Sequence, residues 1–135
     1  MRFAQIKQYG ITPAFGDARG SGSRRLYSLE NVCQMALATW LTDAGLRVEV
    51  IGKVLEGVQR HGGLTRFVDS NKHVHKFLGV VRAPKGKKVR QDAVYIEDWK
   101  QLEKIFEHST HASVVIIPIG MNFAIMRNLI EQRGD

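Results

Sequence analysis

From Leu29 onward, Val32, Met35, Ala36 and Ala38 to Leu41 recur at helical spacing, and Ser28 just before them is a residue suited to capping a helix start. The pattern predicts a helix from Leu29 to Thr42, ended by Gly45, which accepts the left-handed conformation at a helix C-terminus. A second helical period runs from Arg47 to about His61, with Val48, Ile51, Val54, Leu55 and Val58 on one face and Gly62-Gly63 as its stop. Two short amphipathic helices joined by a tight glycine turn are expected to pack as an antiparallel pair. Upstream, residues 3 to 9 read as the end of a helix, stopped by Gly10 and by Pro13, whose ring disfavours helix at Thr12. The loop with Gly16, Asp17, Gly20 and Gly22 can then form a hairpin with Arg24 to Tyr27 as its return strand.

After Gly62 the pattern changes. Residues 73 to 82, HVHKFLGVVR, have the β-branched and aromatic content of a strand, Pro84 to Lys87 reads as a turn, and Val89 to Ile96 as a returning strand. Asp98 is placed to cap a helix from Trp99 to Glu107. SVVIIP at 113 to 118 suits a short buried strand, and Gly120 and Asn122 precede a last helix, Phe123 to Gln132. Trp40 and Trp99 are expected in the cores of the two parts. The predicted fold class is α+β: a helical region over 1–61 and a small α+β region over 62–135, with Gly62 to Asn71 as the joint.

Composition narrows the function. The 135 residues are 44% hydrophobic, which suits a packed core, and no apolar run approaches the roughly 20 residues of a membrane helix. The first ten residues, MRFAQIKQYG, lack the apolar core and cleavage site of a secretion signal. The single cysteine, Cys33, falls inside a predicted helix as a buried apolar thiol, which fits a reducing cytoplasm. A formal charge of +7 favours a polyanionic partner, most simply nucleic acid. The charge is clustered: Lys72, Lys76, Arg82, Lys85, Lys87, Lys88 and Arg90 follow one another without an acid, and Arg2, Lys7, Arg19, Arg24 and Arg25 are offset before residue 28 only by Asp17. Each cluster reads equally as a binding surface or as a solvated face.

Catalytic and metal chemistry leave fainter traces. His73 and His75 alternate, so on a strand they would share a face, but no cysteine pair or zinc-finger spacing accompanies them and a surface histidine pair is the simpler reading. Glu97 and Asp98 read as a helix start. Glycines 16, 20 and 22 lack the strand-before, helix-after setting of a nucleotide loop. The expectation is a protein that is not an enzyme and takes no cofactor and no metal.

The order of helix end, YGITP, glycine loop, RRLY, capped helix, AGL and second helix over residues 3 to 58 resembles the MerR family of winged-helix transcription regulators. Gly10, Ile11 and Pro13 match that family's turn, Arg25 and Tyr27 its wing element, Ser28 the cap of its next helix, and Ala44-Gly45-Leu46 its glycine turn. The resemblance implies a wing from Arg19 to Tyr27 that grips phosphates, and a recognition helix whose Arg2, Gln5 and Lys7 face the groove. One departure stands out. The family's first helix would precede Met1, and Ala4, Gln5 and Ile6 stand where the family has an arginine followed by aromatics. Either the chain begins downstream of a fuller helix-turn-helix, or it is a variant without base readout.

The expected function is therefore a nucleoid-associated, dimeric, DNA-binding transcription regulator. Contacts are expected from Arg2, Gln5, Lys7, Arg19, Arg24, Arg25 and Tyr27, with Lys85, Lys87 and Lys88 adding non-specific phosphate contacts from a hairpin tip. The alternative is a protein-interaction or ligand-sensing module on a degraded winged helix. Candidate dimer surfaces are the strand Ser113 to Ile117 and the face Phe123, Ile125, Met126, Leu129 and Ile130, which an intramolecular core would explain as well.

Overall fold

The computed structural model describes residues 7–12, 27–85, 87–107 and 113–133. The chain divides into two compact units, Met1–Thr65 and Arg66–Asp135. The fold is α+β.

The first unit is built on two packed helices, α1 (Leu29–Asp43) and α2 (Val48–Arg60). Ser28 opens α1 with a reciprocal cap: its hydroxyl accepts from the Asn31 N–H at 3.1 Å, and the Asn31 side chain accepts from the Ser28 N–H at 3.1 Å. Both helices end in the same closure. Gly45 has φ +89° and Gly62 φ +103°; the Leu46 N–H donates to the Leu41 carbonyl and the Gly63 N–H to the Val58 carbonyl, each at 3.1 Å. This closure needs a left-handed residue, and glycine takes it without a Cβ penalty. Cys33, Leu37 and Leu41 of α1 and Ile51, Leu55 and Val58 of α2 are buried.

Upstream, residues 7 and 8 are helical and Gly10 turns with φ +78°. Tyr9 and Ile11 are buried, and the Tyr9 hydroxyl lies 3.1 Å from the Thr42 hydroxyl, which anchors this segment to the last turn of α1. Downstream, the Glu30 carboxylate accepts from the backbone N–H groups of Leu64 at 2.6 Å and Thr65 at 2.8 Å. Those two residues open the short helix α3 (Thr65–Asp69). A Cβ on Gly63 would stand 2.6 Å from Glu30 Oε1, so the clamp requires glycine there.

The second unit is a three-stranded antiparallel sheet in the order β2-β1-β3, formed by β1 (Phe77–Lys85), β2 (Lys88–Ile96) and β3 (Ser113–Ile117). Helix α4 (Trp99–Glu107) packs near β2, and α5 (Ile119–Arg133) against β1. Leu78, Val80, Ile96, Ile117, Phe67 and Phe123 form the core, with the rings of Phe67 and Phe123 stacked at 6.0 Å.

Four expectations are corrected here. His73 and His75 do not alternate on a strand: Asn71–His73 is a 3-10 turn, opened by the Ser70 side chain accepting from the Lys72 N–H at 3.0 Å, and β1 begins only at Phe77. Pro84 belongs to β1 rather than to the turn, which lies between Lys85 and Lys88. The last helix starts at Ile119, four residues earlier than its glycine suggested. Gly120 is there for closeness, since a Cβ would meet the His73 carbonyl oxygen at 2.0 Å. Trp99 is 60% exposed and rests on Phe77 at 5.7 Å instead of filling a core.

Candidate nucleic-acid interface

Of the residues expected to touch DNA, Arg2, Gln5, Arg19, Arg24 and Arg25 lie outside the described residues. In the first unit, Lys7 is exposed on the helical residues before Gly10. Tyr27 is half-buried beside the Ser28 cap, and its hydroxyl does not reach outward: the oxygen is buried, with no hydrogen-bond partner among the described residues. A buried hydroxyl cannot donate to a phosphate, so Tyr27 contributes packing where the chain enters α1 and not a contact of its own.

In the second unit, Lys87 and Lys88 are exposed where β1 turns into β2, and the register pairs Lys85 with Lys88 at the strand ends. The structure adds two cations to this end of the sheet, Arg82 and Arg90, both exposed. Arg90 is partly neutralised by Asp92 at 2.6 Å. Their place was written in the unbroken basic run, but only the hairpin register shows that Arg82, Lys88 and Arg90 share one end.

A further cationic group was not foreseen. Arg66 lies between two rings, its guanidinium carbon 5.2 Å from the centre of Phe67 and 5.1 Å from that of Tyr95. Lys76 stands 5.9 Å from the Tyr95 ring and pairs with Glu97 at 2.9 Å. His73 meets the edge of Phe67 at 5.5 Å. Burial lowers its pKa below the ordinary histidine value, and the positive charges of Lys76 and Arg66 lower it further. His73 is thus neutral at pH 7 and adds nothing to the basic surface. Among the described residues no three histidine, cysteine or acidic side chains gather as a metal site.

Two other surfaces bear on partners. An open cleft of about 600 Å³ in the first unit is lined by Tyr9, Ile11 and Leu55 together with Gln34, Gln59 and Arg60. On α5, Met121, Ile125 and Leu129 are about half exposed (49%, 52% and 55%) and recur every fourth residue, opposite the buried Ile119, Phe123 and Ala124. The helix is therefore apolar on two sides. No helix among the described residues is long and apolar enough to cross a membrane. Compared with protein-family models, with curated proteins and with solved structures, the chain matches none.

Proposed function

We propose that the protein is a DNA-binding transcription regulator of the MerR type, cytoplasmic and nucleoid-associated, acting as a homodimer. The observation that carries the reading is the frame in which the RRLY stretch ends: Tyr27 packed in place, Ser28 capping α1, and α2 braced against α1 by the Gly45 closure. Such a frame suits a wing, because residues held by a rigid scaffold lose less entropy when they settle on a phosphate backbone. Arg19, Arg24 and Arg25 grip phosphates, Arg2, Gln5 and Lys7 face the groove, and Lys85, Lys87 and Lys88 add sequence-independent contacts. The uncharged stripe Met121, Ile125 and Leu129 is the homodimer surface, since a two-fold contact buries the same patch of both copies and an uncharged apolar stripe meets its copy without stranding a charge.

Arg25→Ala tests the reading. Loss of a charge-assisted phosphate contact costs about 1.5–3 kcal/mol, so duplex affinity falls at least tenfold while the melting curve is kept. Full affinity in a folded Arg25→Ala protein removes the wing from the mechanism. The cleft beside Tyr9 and Leu55 supports a second reading, a ligand-sensing or protein-interaction module on a degraded winged helix. That reading gains if the chain ignores duplex DNA yet Gln34→Trp, which puts a ring into the cleft from a residue outside the core, abolishes a ligand-induced rise in melting temperature.

A further inference from the structure

Among the described residues, the β1–β2 hairpin outruns the third strand of its sheet. Strand β3 pairs with β1 from Leu78 to Arg82, whereas the β1–β2 ladder continues through Ala83↔Arg90 and Pro84↔Val89 to Lys85↔Lys88. The last three rungs form a two-stranded ribbon that extends about 10 Å past the third strand, at roughly 3.4 Å per residue. Its position explains Pro84. A central strand excludes a residue without an N–H, but beyond Arg82 the strand β1 pairs on one side only among the described residues, and such an edge tolerates proline.

The ribbon has two faces. Side chains alternate along each strand, so Arg82, Pro84 and the cross-strand partner Val89 share one face, while Lys88 and Arg90 lie on the other. Pro84 is exposed and Val89 is 49% exposed. They stand directly opposite each other and form one apolar pair, with Arg82 on the same face, Lys88 and Arg90 on the other, and Lys87 at the turn. The pair lies one rung short of the turn, and cations flank it on its own face (Arg82), on the other face (Lys88 and Arg90) and at the turn (Lys87), which suits a partner that offers anions on both sides of an apolar surface.

We infer that the ribbon is an arm that enters the minor groove of double-stranded DNA, with Lys87, Lys88 and Arg82 on backbone phosphates and the Pro84–Val89 pair wedged against a base step, so that binding bends the duplex. Charge selects the polyanion; the apolar pair has no use on phosphates and requires the stacked bases. Apolar wedges, proline among them, partly unstack a base step and kink the duplex by roughly 20–90°. The inference rests on the DNA-binding reading and adds deformation to it.

The test uses the full chain and an A·T-rich duplex of about 30 base pairs, labelled at both ends for energy transfer and titrated at several salt concentrations. Saturating protein raises the transfer efficiency by the shortening that a bend of about 20–90° produces. Pro84→Ser/Val89→Thr, which keeps every charge and β-compatible residues on the strand, binds with the wild-type salt slope and leaves the duplex straight. Lys87→Gln/Lys88→Gln lowers the slope by about one per lysine removed. A wild-type protein that binds with steep salt dependence and never bends the duplex overturns the wedge while leaving DNA binding in place, and so does a Pro84→Ser/Val89→Thr protein that bends it fully. A wild-type protein that does not bind the duplex at low salt overturns both.

Discussion

Replacing Glu30 by alanine removes the clamp between helix α1 and the start of α3. The carboxylate receives the Leu64 N–H at 2.6 and 3.0 Å, the Thr65 N–H at 2.8 Å and the Gln59 amide at 2.5 Å. Leu64 is fully buried beside the half-exposed Glu30, so its N–H loses a charged acceptor in a part-buried place, which costs about 1–3 kcal/mol. Thr65 is half-buried and adds about 1 kcal/mol as an ordinary lost hydrogen bond. Gln59 is exposed and adds little, because water replaces its partner. The sum is about 2–4 kcal/mol, and with a urea slope near 1 kcal/mol/M the unfolding midpoint of the first unit falls by roughly 2 M or more. Glu30→Gln keeps one carbonyl acceptor and loses about half as much. Gly63 supplies an internal control. Gly63→Ala carries both the left-handed strain of φ +76° and the collision at 2.6 Å with Glu30 Oε1. In a Glu30→Ala background only the strain remains, about 1–2 kcal/mol, and the double variant is less damaged than the sum of the singles. A Glu30→Ala protein within about 0.5 kcal/mol of wild type, or full additivity with Gly63→Ala, would refute the clamp.

Tyr27→Phe removes a buried hydroxyl that has no partner among the described residues, so the melting temperature holds or rises and duplex affinity is unchanged. Tyr27→Ala, which deletes the half-buried ring, lowers stability by about 2 kcal/mol in a denaturant titration. Gly120→Ala drives a Cβ into the His73 carbonyl, which is backbone and cannot yield, so the second unit loses about 3 kcal/mol or more and its near-ultraviolet dichroism collapses first. Acid is expected to act through His73. Its folded pKa is lowered, so below about pH 6.5 the unfolded chain binds a proton that the folded chain resists, and stability falls as pH drops through that value. His73→Gln removes this component, and a pH 7.5-to-5.5 loss of melting temperature that is identical in wild type and His73→Gln would count against it.

The helical pair was legible because its signals are local. Ser28 caps, Gly45 and Gly62 close, and in α2 the periodicity reports the buried Ile51, Val54, Leu55 and Val58, whereas in α1 the expected Leu29 and Val32 are exposed and the buried face is Asn31, Cys33, Leu37, Ala38 and Leu41. The second unit was harder where tertiary contacts outweigh local preference. The alternation of His73 to Phe77 reads as strand, but Ser70 bonds the Lys72 N–H and opens a 3-10 helix that ends at His73, and the Lys76 N–H donates to the His73 carbonyl at 3.0 Å, so the chain turns before β1. Gly120 reads as a helix breaker because a sequence cannot show the His73 carbonyl that comes so near. The start of α5 is instead supported by Pro118, whose carbonyl accepts the Asn122 N–H at 2.9 Å. Of the candidate interface, the basic run was visible, but the exposed Pro84–Val89 pair depends on hairpin register, and the seat of Arg66 depends on Tyr95, far along the chain. The buried Tyr27 hydroxyl left no sequence signal, since a tyrosine beside arginines reads the same whichever way its ring turns.

DNA binding itself is tested most directly by titrating the purified chain onto duplex DNA over a range of salt concentrations. If its basic residues lie on phosphates, binding releases condensed counterions, and the logarithm of the association constant falls linearly with the logarithm of salt, by about 0.9 for each phosphate neutralised. The expected result is a slope of several units, reduced in Arg25→Ala and again in Lys87→Gln/Lys88→Gln. An affinity that is the same at low and at moderate salt would contradict DNA binding by this protein.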